Sequence, residues 1–383
     1  MSALGSTAES CPATVMKTLG SVLGRVYHEG VDSERTDSAR YMIERSPALR
    51  LAVEHDDATA ARKAIVELIA TGHMTDVTVM REGHVVAAVG GPALAPLRGT
   101  LTNAAGQKIA TYVASVWADT GFAAEANGVA EGTVALRQGG KSIGGTLELP
   151  DEPLSSEGTL TRNGTTFQYT SFPAQAYPSG AAVTVYLLKR LELAEKACGQ
   201  TSEDTTVNTL TQVANLIYQG ETGARTLVQV KRVQHNAALL KAVSAKDPKA
   251  TEAAIKTLLN HHIVRLRVNS VGSHLLSDVG GPYVLAPVTA PLQLHGREIG
   301  SFVLSIQDDE GYLRLARRLA GLKVLMFMDS KLVKNSLGPN PGKTPIEGSF
   351  HYRGEQFRTF TLKAQAFPSG TLKIRVLVPI PYS

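Results

Sequence analysis

The chain has 383 residues, 43% of them apolar and 19% charged, a balance that supports sizeable cores and excludes a mostly disordered polypeptide. That length is about two or three times a typical single domain, so at least two domains are expected. Lys and Arg number 39 against 34 Asp and Glu, and the net +5 reads as scattered along the chain, which speaks for solubility and against a nucleic-acid partner.

Val15, Leu19, Val22, Leu23 and Val26 recur three and four apart, which predicts one long amphipathic helix in the first 45 residues. A second helix is expected from about Ala58 to Ala70, capped by Asp56-Asp57. The period then becomes two: Val77, Val79, the Glu82-Gly83 turn, Val85, Val86 and Val89 predict a hairpin. After Gly90-Gly91-Pro92 come a strand ending near Leu101, a turn at Gly106, a long strand from Ile109 to Val116 and a short helix beginning at Asp119. Gly132 to Gln138, Leu147 to Leu149, Thr165 to Phe172 and Ala182 to Leu188 read as further strands, and Asn163-Gly164-Thr165, which fits a glycosylation acceptor, reads instead as a hairpin turn. Leu188 to Ala197, rich in Leu, Lys and Glu, reads as helix. Helices first and a mostly antiparallel sheet afterwards is an α+β layout.

The pattern is written again at an offset close to 190. Gly90-Gly91-Pro92 and Leu94-Ala95-Pro96 return as Gly280-Gly281-Pro282 and Leu285-Ala286-Pro287, with one extra residue between the triplets. Ala174-Gln175-Ala176-x-Pro178-Ser179-Gly180 returns as Ala364-Gln365-Ala366-x-Pro368-Ser369-Gly370. The second copy's second helix follows Asp247-Pro248, and its hairpin spans 264 to 279. Two tandem modules, 1–190 and 191–383, are expected, each a long N-terminal helix plus a mostly antiparallel sheet flanked by helices.

This order of elements resembles the Cache (PDC) extracytoplasmic sensor domains, which are PAS-like. The likeness is carried by Asp76-Val77-Thr78-Val79-Met80-Arg81-Glu82-Gly83-His84-Val85-Val86 and Gly106-Gln107-Lys108-Ile109 in the first copy. In the second it is carried by Leu276-Ser277-Asp278-Val279-Gly280-Gly281-Pro282 and Gly296-Arg297-Glu298-Ile299-Gly300-Ser301-Phe302-Val303, so it covers most of each copy. The resemblance implies a small ligand held between the sheet and the connection after the first hairpin, edged by the Gly-Gly-Pro segments, with binding felt by the long helix. It also implies an extracytoplasmic setting and a membrane-bound signalling partner, although no anchor or output domain is visible and the aromatic and arginine pattern of amino-acid-binding members is not matched. No apolar run reaches the roughly 20 residues of a membrane span. The first 30 residues show no basic start followed by an apolar block, so the chain as given is expected to be a trimmed extracytoplasmic segment or, as the alternative, cytoplasmic. Cys11 and Cys198 are too few for a disulfide framework or a thiolate metal site and leave inert thiols or one bridge open.

Reactive chemistry finds little support. Gly140-Lys141-Ser142 and Gly342-Lys343-Thr344 miss the first glycine of a phosphate loop and read as turns. His261 and His262 are adjacent and diverge, against a zinc pair; His73 and His262 suit helix ends, and Asp119 and Asp309 suit N-caps. With no Gly-x-Ser-x-Gly elbow, the expectation is a non-enzyme with no cofactor and no metal. Recognition remains. The candidate ligand residues are Tyr41 and Arg45 on the long helix, Arg98, and Tyr112, Ser115 and Trp117 along the long strand, Tyr112 facing away from the other two. In the second copy they are Arg265, Arg267, Asp278, Tyr283, Ser305 and Gln307. Trp117 becomes Gln307 and Arg98 becomes Val288, so the two pockets should differ and one can be purely structural. The rival reading is a structural or protein-interaction module with collapsed pockets, and behind it a motif-free hydrolase. The oligomeric state is left unassigned.

Overall fold

The computed structural model describes residues 10–72, 74–220, 222–259, 263–281 and 284–382; His73, His261, His262, Pro282 and Tyr283 therefore lie outside the described residues. The chain divides into two compact units, Met1–Thr209 and Leu210–Ser383.

In the first unit α1 (Cys11–His28), α2 (Glu34–Arg45), α3 (Pro47–Glu54) and α4 (Ala58–Thr71) precede β1 (Asp76–Arg81), β2 (His84–Val89), β3 (Ala93–Leu94), β4 (Leu97–Thr102), β5 (Lys108–Ser115) and β6 (Trp117–Ala118). Next come α5 (Asp119–Ala130), β7 (Thr133–Gln138), β8 (Lys141–Gly145), β9 (Glu157–Arg162), β10 (Thr165–Gln175), β11 (Ala182–Arg190), α6 (Leu191–Glu195) and α7 (Ser202–Gly220). The division between units falls inside α7.

The expected long helix is broken after His28. The Ser33 hydroxyl accepts from the Arg35 and Thr36 amides while Thr36 accepts from the Ser33 amide, a capping box that starts a new helix regardless of the apolar period. Pro47 then opens α3, with Ser46 Oγ accepting from the Leu49 amide at 3.2 Å. Tyr41 and Arg45 consequently sit on α2 and not on the long helix. The Asp57 cap of α4 and the Glu82-Gly83 turn are as the sequence indicates.

The α+β layout holds, with most strands of each unit distributed over two antiparallel sheets and β3 paired with β6 on its own in the first unit. The smaller sheet runs β2-β1-β5-β4 and the larger β8-β7-β11-β10-β9, so both follow the chain order 2-1-5-4, and the larger continues it to 3. Ile43, Leu49, Val53, Ile65 and Leu68 from α2, α3 and α4 bury against Val77, Val79, Leu101 and Tyr112 of the smaller sheet. The apolar stripe of α1 (Val15, Leu19, Val22, Val26) is fully buried, and α1 packs on β10 and α5. Leu147 to Leu149 is not a strand: Leu147, Leu149 and Leu154 pack from a loop onto Tyr169, Tyr186 and Leu188. Arg137 holds that loop by donating to the Asp151 and Glu152 carbonyls at 3.0 and 2.9 Å. The spacing of two came from leucines facing one surface without a ladder. Leu188 to Arg190 still belongs to β11, leaving only α6 as helix there.

The second unit takes α7 from Leu210 and adds α8 (Ala224–Gln234), α9 (Ala237–Ser244), α10 (Pro248–Leu259), β12 (Arg265–Ser270), β13 (Leu275–Gly280), β14 (Val284–Leu285), β15 (Val288–Leu294), β16 (Arg297–Ser305) and β17 (Gln307–Asp308). It ends with α11 (Asp309–Ala320), β18 (Lys323–Met328), β19 (Lys331–Asn335), β20 (Gly348–Tyr352), β21 (Glu355–Ala366) and β22 (Gly370–Ile380). Its sheets repeat the same order: β13-β12-β16-β15, and β19-β18-β22-β21-β20 with the β14 and β17 pair added beside β21. The charge is not scattered, because the first unit holds 17 Lys and Arg against 23 Asp and Glu and the second 22 against 11. The sequence-wide +5 hid this by summing two opposite excesses.

Cys11 and Cys198 form a disulfide that joins the start of α1 to the segment after α6, across 187 residues of chain. Such a closure restricts the unfolded first unit and is worth about 2–4 kcal/mol. Trp117, the single tryptophan, reports that unit's unfolding by fluorescence. Cys11→Ser with Cys198→Ser should lower its unfolding free energy by about that amount; an unchanged denaturation midpoint contradicts a formed bridge.

Candidate functional site

In each unit the two sheets meet where the Ala-Gln-Ala-x-Pro-Ser-Gly turn of the larger one reaches the short strand after Gly-Gly-Pro. In the first unit the Tyr177 amide donates to the Ala93 carbonyl at 2.9 Å and the Ala95 amide to the Gln175 carbonyl at 3.0 Å. Tyr27 of α1 accepts from the Gln175 amide at 2.9 Å, which brings the opening helix to the same place.

A carboxylate lies in this junction. Asp76 is 1% exposed at the start of β1; it accepts from the Gly91 amide at 2.6 Å and from Thr75 Oγ1 at 2.5 Å. Gly90 is required by its φ of 122° and because a Cβ there would collide with Asp76. Burial pushes the Asp76 carboxyl above its usual range, against the two hydrogen bonds that favour the charged form. Tyr177 shares a 2.6 Å hydrogen bond with Thr78 Oγ1, and burial with help from Asp76 raises its phenol to about 12.

The sequence-selected residues of this unit do not converge on one pocket. Ser115 is wholly buried; its hydroxyl donates to the Leu94 carbonyl at 2.5 Å and accepts from the Trp117 amide at 3.0 Å. The Trp117 indole donates to the Val26 carbonyl at 3.0 Å, meets Phe122 edge-on and lies beneath Arg35 at 4.9 Å. Arg98 is exposed and donates to the Pro178 and Ser179 carbonyls at 3.1 and 3.0 Å, clamping the turn. Tyr112 is buried towards the helices and donates to Glu44 at 2.9 Å. Tyr41 is 66% exposed and has Arg45 over its ring at 5.9 Å. An open groove of about 370 Å³ between α3 and α4, floored by Ala52, Ala60 and Ala64, is lined by none of the selected residues.

The second unit uses the same junction with different chemistry. Arg265 stands where Asp76 does; it forms two 2.9 Å bonds with Asp278 and stacks 4.6 Å over the Phe367 ring, the counterpart of Tyr177. Arg267 is half-buried, opposite Asp278 in the ladder. Ser305 is wholly buried, yet its hydroxyl has no hydrogen-bond partner among the described residues, and the same holds for Gln307 Nε2 and Asp309 Oδ2. Gln307 lies opposite Leu285, which in turn lies opposite Ala366. Gly311 makes room for Gln307, since a Cβ would meet its amide nitrogen.

Asp309 is not the N-cap. Asp308 caps α11 by accepting from the Gly311 amide at 2.6 Å, while Asp309 is 4% exposed, accepts from the Glu310 amide and has Lys334 Nζ at 3.6 Å from Oδ2. Burial raises its carboxyl above the usual range, against that amide and Lys334. Asp119 likewise does not cap α5; its carboxylate accepts from the adjacent Thr120 amide. A crevice of about 10 Å³, room for roughly one water, opens among Leu285, Asp309, Met326 and Ala366. Among the described residues no group of three or more His, Cys, Asp or Glu is placed to hold a metal ion.

Asp76, Tyr177 and Asp309 were missed as site residues. Asp76 is a lone acid opening an apolar strand, and Tyr177 occupies the variable place in the repeated Pro-Ser-Gly turn; both signals were legible.

No family model and no curated protein matches the chain. Solved structures similar to it include the Vibrio cholerae LuxQ periplasmic domain, at 11% identity and a TM-score of 0.29, covering 45% of this chain and 94% of that one. An extracellular ligand binding receptor from Desulfohalobium retbaense has 10% identity and a TM-score of 0.29, covering 59% of this chain and 47% of that one. The ligand-binding domain of the Pseudomonas fluorescens chemoreceptor CtaA, in complex with L-isoleucine, has 12% identity and a TM-score of 0.24, covering 46% of this chain and 95% of that one.

The raised Asp76 carboxyl gives a pH signature. Its contribution to stability is fully present below the ordinary value of 3.8 and is lost as pH rises through the raised value. Asp76→Asn lacks this titration, so denaturation followed through Trp117 should show the variant gaining on the wild type as pH climbs from about 3 to 7. A wild type that gains on the variant over that range contradicts the assignment.

Proposed function

We propose that the chain is an extracytoplasmic sensor or solute-binding protein of Cache-like, PAS-like build, not an enzyme, and that its second unit binds a small polar molecule while the junction of the first is structural. The observation that carries this reading is that Ser305 Oγ and Gln307 Nε2 are buried without a hydrogen-bond partner among the described residues, a few residues before Asp309, whose Oδ2 has Lys334 Nζ at 3.6 Å. Each such atom costs about 1–3 kcal/mol, a burden a structural module has no reason to keep. A ligand that accepts from Gln307 and donates to Asp309 offsets it. In the first unit Ser115 and Trp117, the counterparts of Ser305 and Gln307, satisfy one another and the backbone.

The crevice is too small for a metabolite as it stands, so binding opens it. The two-residue strands β14 and β17 are the part that gives, because so short a ladder holds little free energy. The Cys11–Cys198 bridge supports an oxidising compartment. No described helix is long and apolar enough to cross a membrane. Signalling to a membrane-bound partner through the helices is the proposed use of the bound state.

A thermal-shift screen of small polar metabolites tests this. In the wild type at least one compound should raise Tm by mass action, and Gln307→Leu should abolish that shift. Without ligand, Ser305→Ala should lie within about 0.5 kcal/mol of wild type or above it, whereas Ser115→Ala, which removes the bonds to the Leu94 carbonyl and the Trp117 amide, should lose about 1 kcal/mol or more. A screen without stabilising compounds, or an unchanged shift in Gln307→Leu, contradicts the proposal.

A further inference from the structure

We infer that the exposed end of the second unit's larger sheet, around Lys363 and Lys373, docks on an anionic lipid surface. Lys363 of β21 stands directly opposite Lys373 of β22, and both side chains are exposed. Like charges facing across a ladder repel, so the fold gains nothing from this pair. Two residues along on the same face, Arg375 stacks 4.6 Å over Phe327 and donates to the Thr344 carbonyl, next to the exposed Lys343. Thr361 Oγ1 donates to the Ile346 carbonyl at 2.8 Å, which holds the same loop against the sheet and leaves the Ile346 side chain 69% exposed. Among the described residues Lys343, Lys363 and Lys373 have no ion-pair partner.

The first unit serves as an internal control. There Pro173 and Thr184 face each other at the positions of the two lysines, and Ser171 Oγ donates to the Ser156 carbonyl at 3.0 Å in place of the Thr361 to Ile346 bond. The loop clamp is kept and the charges and the apolar tip are not, so the fold does not demand them. The surrounding unit adds an excess of 22 Lys and Arg over 11 Asp and Glu, where the first unit has an acidic excess. Basic side chains around a protruding aliphatic one suit an interface in which ammonium groups meet headgroup phosphates and the apolar tip enters the acyl boundary. This inference does not depend on the ligand reading above.

Vesicle sedimentation with the whole chain tests it, using phosphatidylcholine alone and phosphatidylcholine with about one third phosphatidylglycerol. The expected result is binding to the anionic vesicles only, lost at about 0.5 M salt because surface attraction is screened. K363E/K373E should weaken that binding on the order of tenfold or more. I346S, which installs the first unit's residue, should weaken it severalfold, with both variants melting as the wild type does. Equal binding to neutral vesicles, no binding to either, or undiminished binding by K363E/K373E overturns the inference. So does full binding by I346S, or retention on a heparin column without vesicle binding, since these point to a soluble polyanion in place of a lipid surface.

Discussion

Gln175 and Gln365 each offer their backbone to the residue that follows the short strand after Gly-Gly-Pro. The Gln175 carbonyl accepts from the Ala95 amide and the Gln365 carbonyl from the Ala286 amide, at 3.0 and 3.2 Å. Their amides donate to tyrosine hydroxyls of the opening helices, Tyr27 at 2.9 Å and Tyr218 at 2.8 Å. Backbone groups at a strand's edge need partners, and this exchange ties the turn of the larger sheet to the short strand and to the opening helix. The side chains caught in the junction inherit its geometry. Whatever the protein recognises there is limited by what this backbone exchange leaves unsatisfied.

The two units answer that limit in opposite ways on one frame. The first closes it with its own groups: Asp76 under Gly91, Tyr177 on Thr78, Ser115 on Leu94, and the Trp117 indole on Val26. The second neutralises Arg265 with Asp278 and leaves Ser305, Gln307 and Asp309 incompletely bonded. Replacing the indole by an amide at one position exchanges a filled, satisfied site for a polar one. The larger sheets diverge too, with Arg137 clamping the covering loop in one unit and Arg375 in the other. The two units share a strand order and backbone bonds at the junction, and the side chains at corresponding positions differ.

The α+β order and the hairpins were legible because they rest on local spacing. The break between α1 and α2 was legible in principle, since Ser33 and Pro47 are written at the starts of two helices, but an apolar period over many residues outweighed single capping residues. The assignment of strands to two sheets was not, because pairing such as Thr184 with Arg137 joins segments far apart in sequence. The site was half legible. Ser115, Trp117, Ser305 and Gln307 fell at the junction because they end the long strand, whereas Tyr41 and Tyr112 were chosen for residue type and face elsewhere. Asp309 escaped because a carboxylate near a helix start has an ordinary explanation until its burial is known.

The central claim is that recognition falls to the second unit while the first is closed on itself, and side-chain NMR reads both at once. With a stabilising ligand, the Gln307 amide resonance should shift and the one indole N–H of the chain, that of Trp117, should stay in place. A ligand that moves the indole resonance and leaves the Gln307 amide untouched would contradict the account.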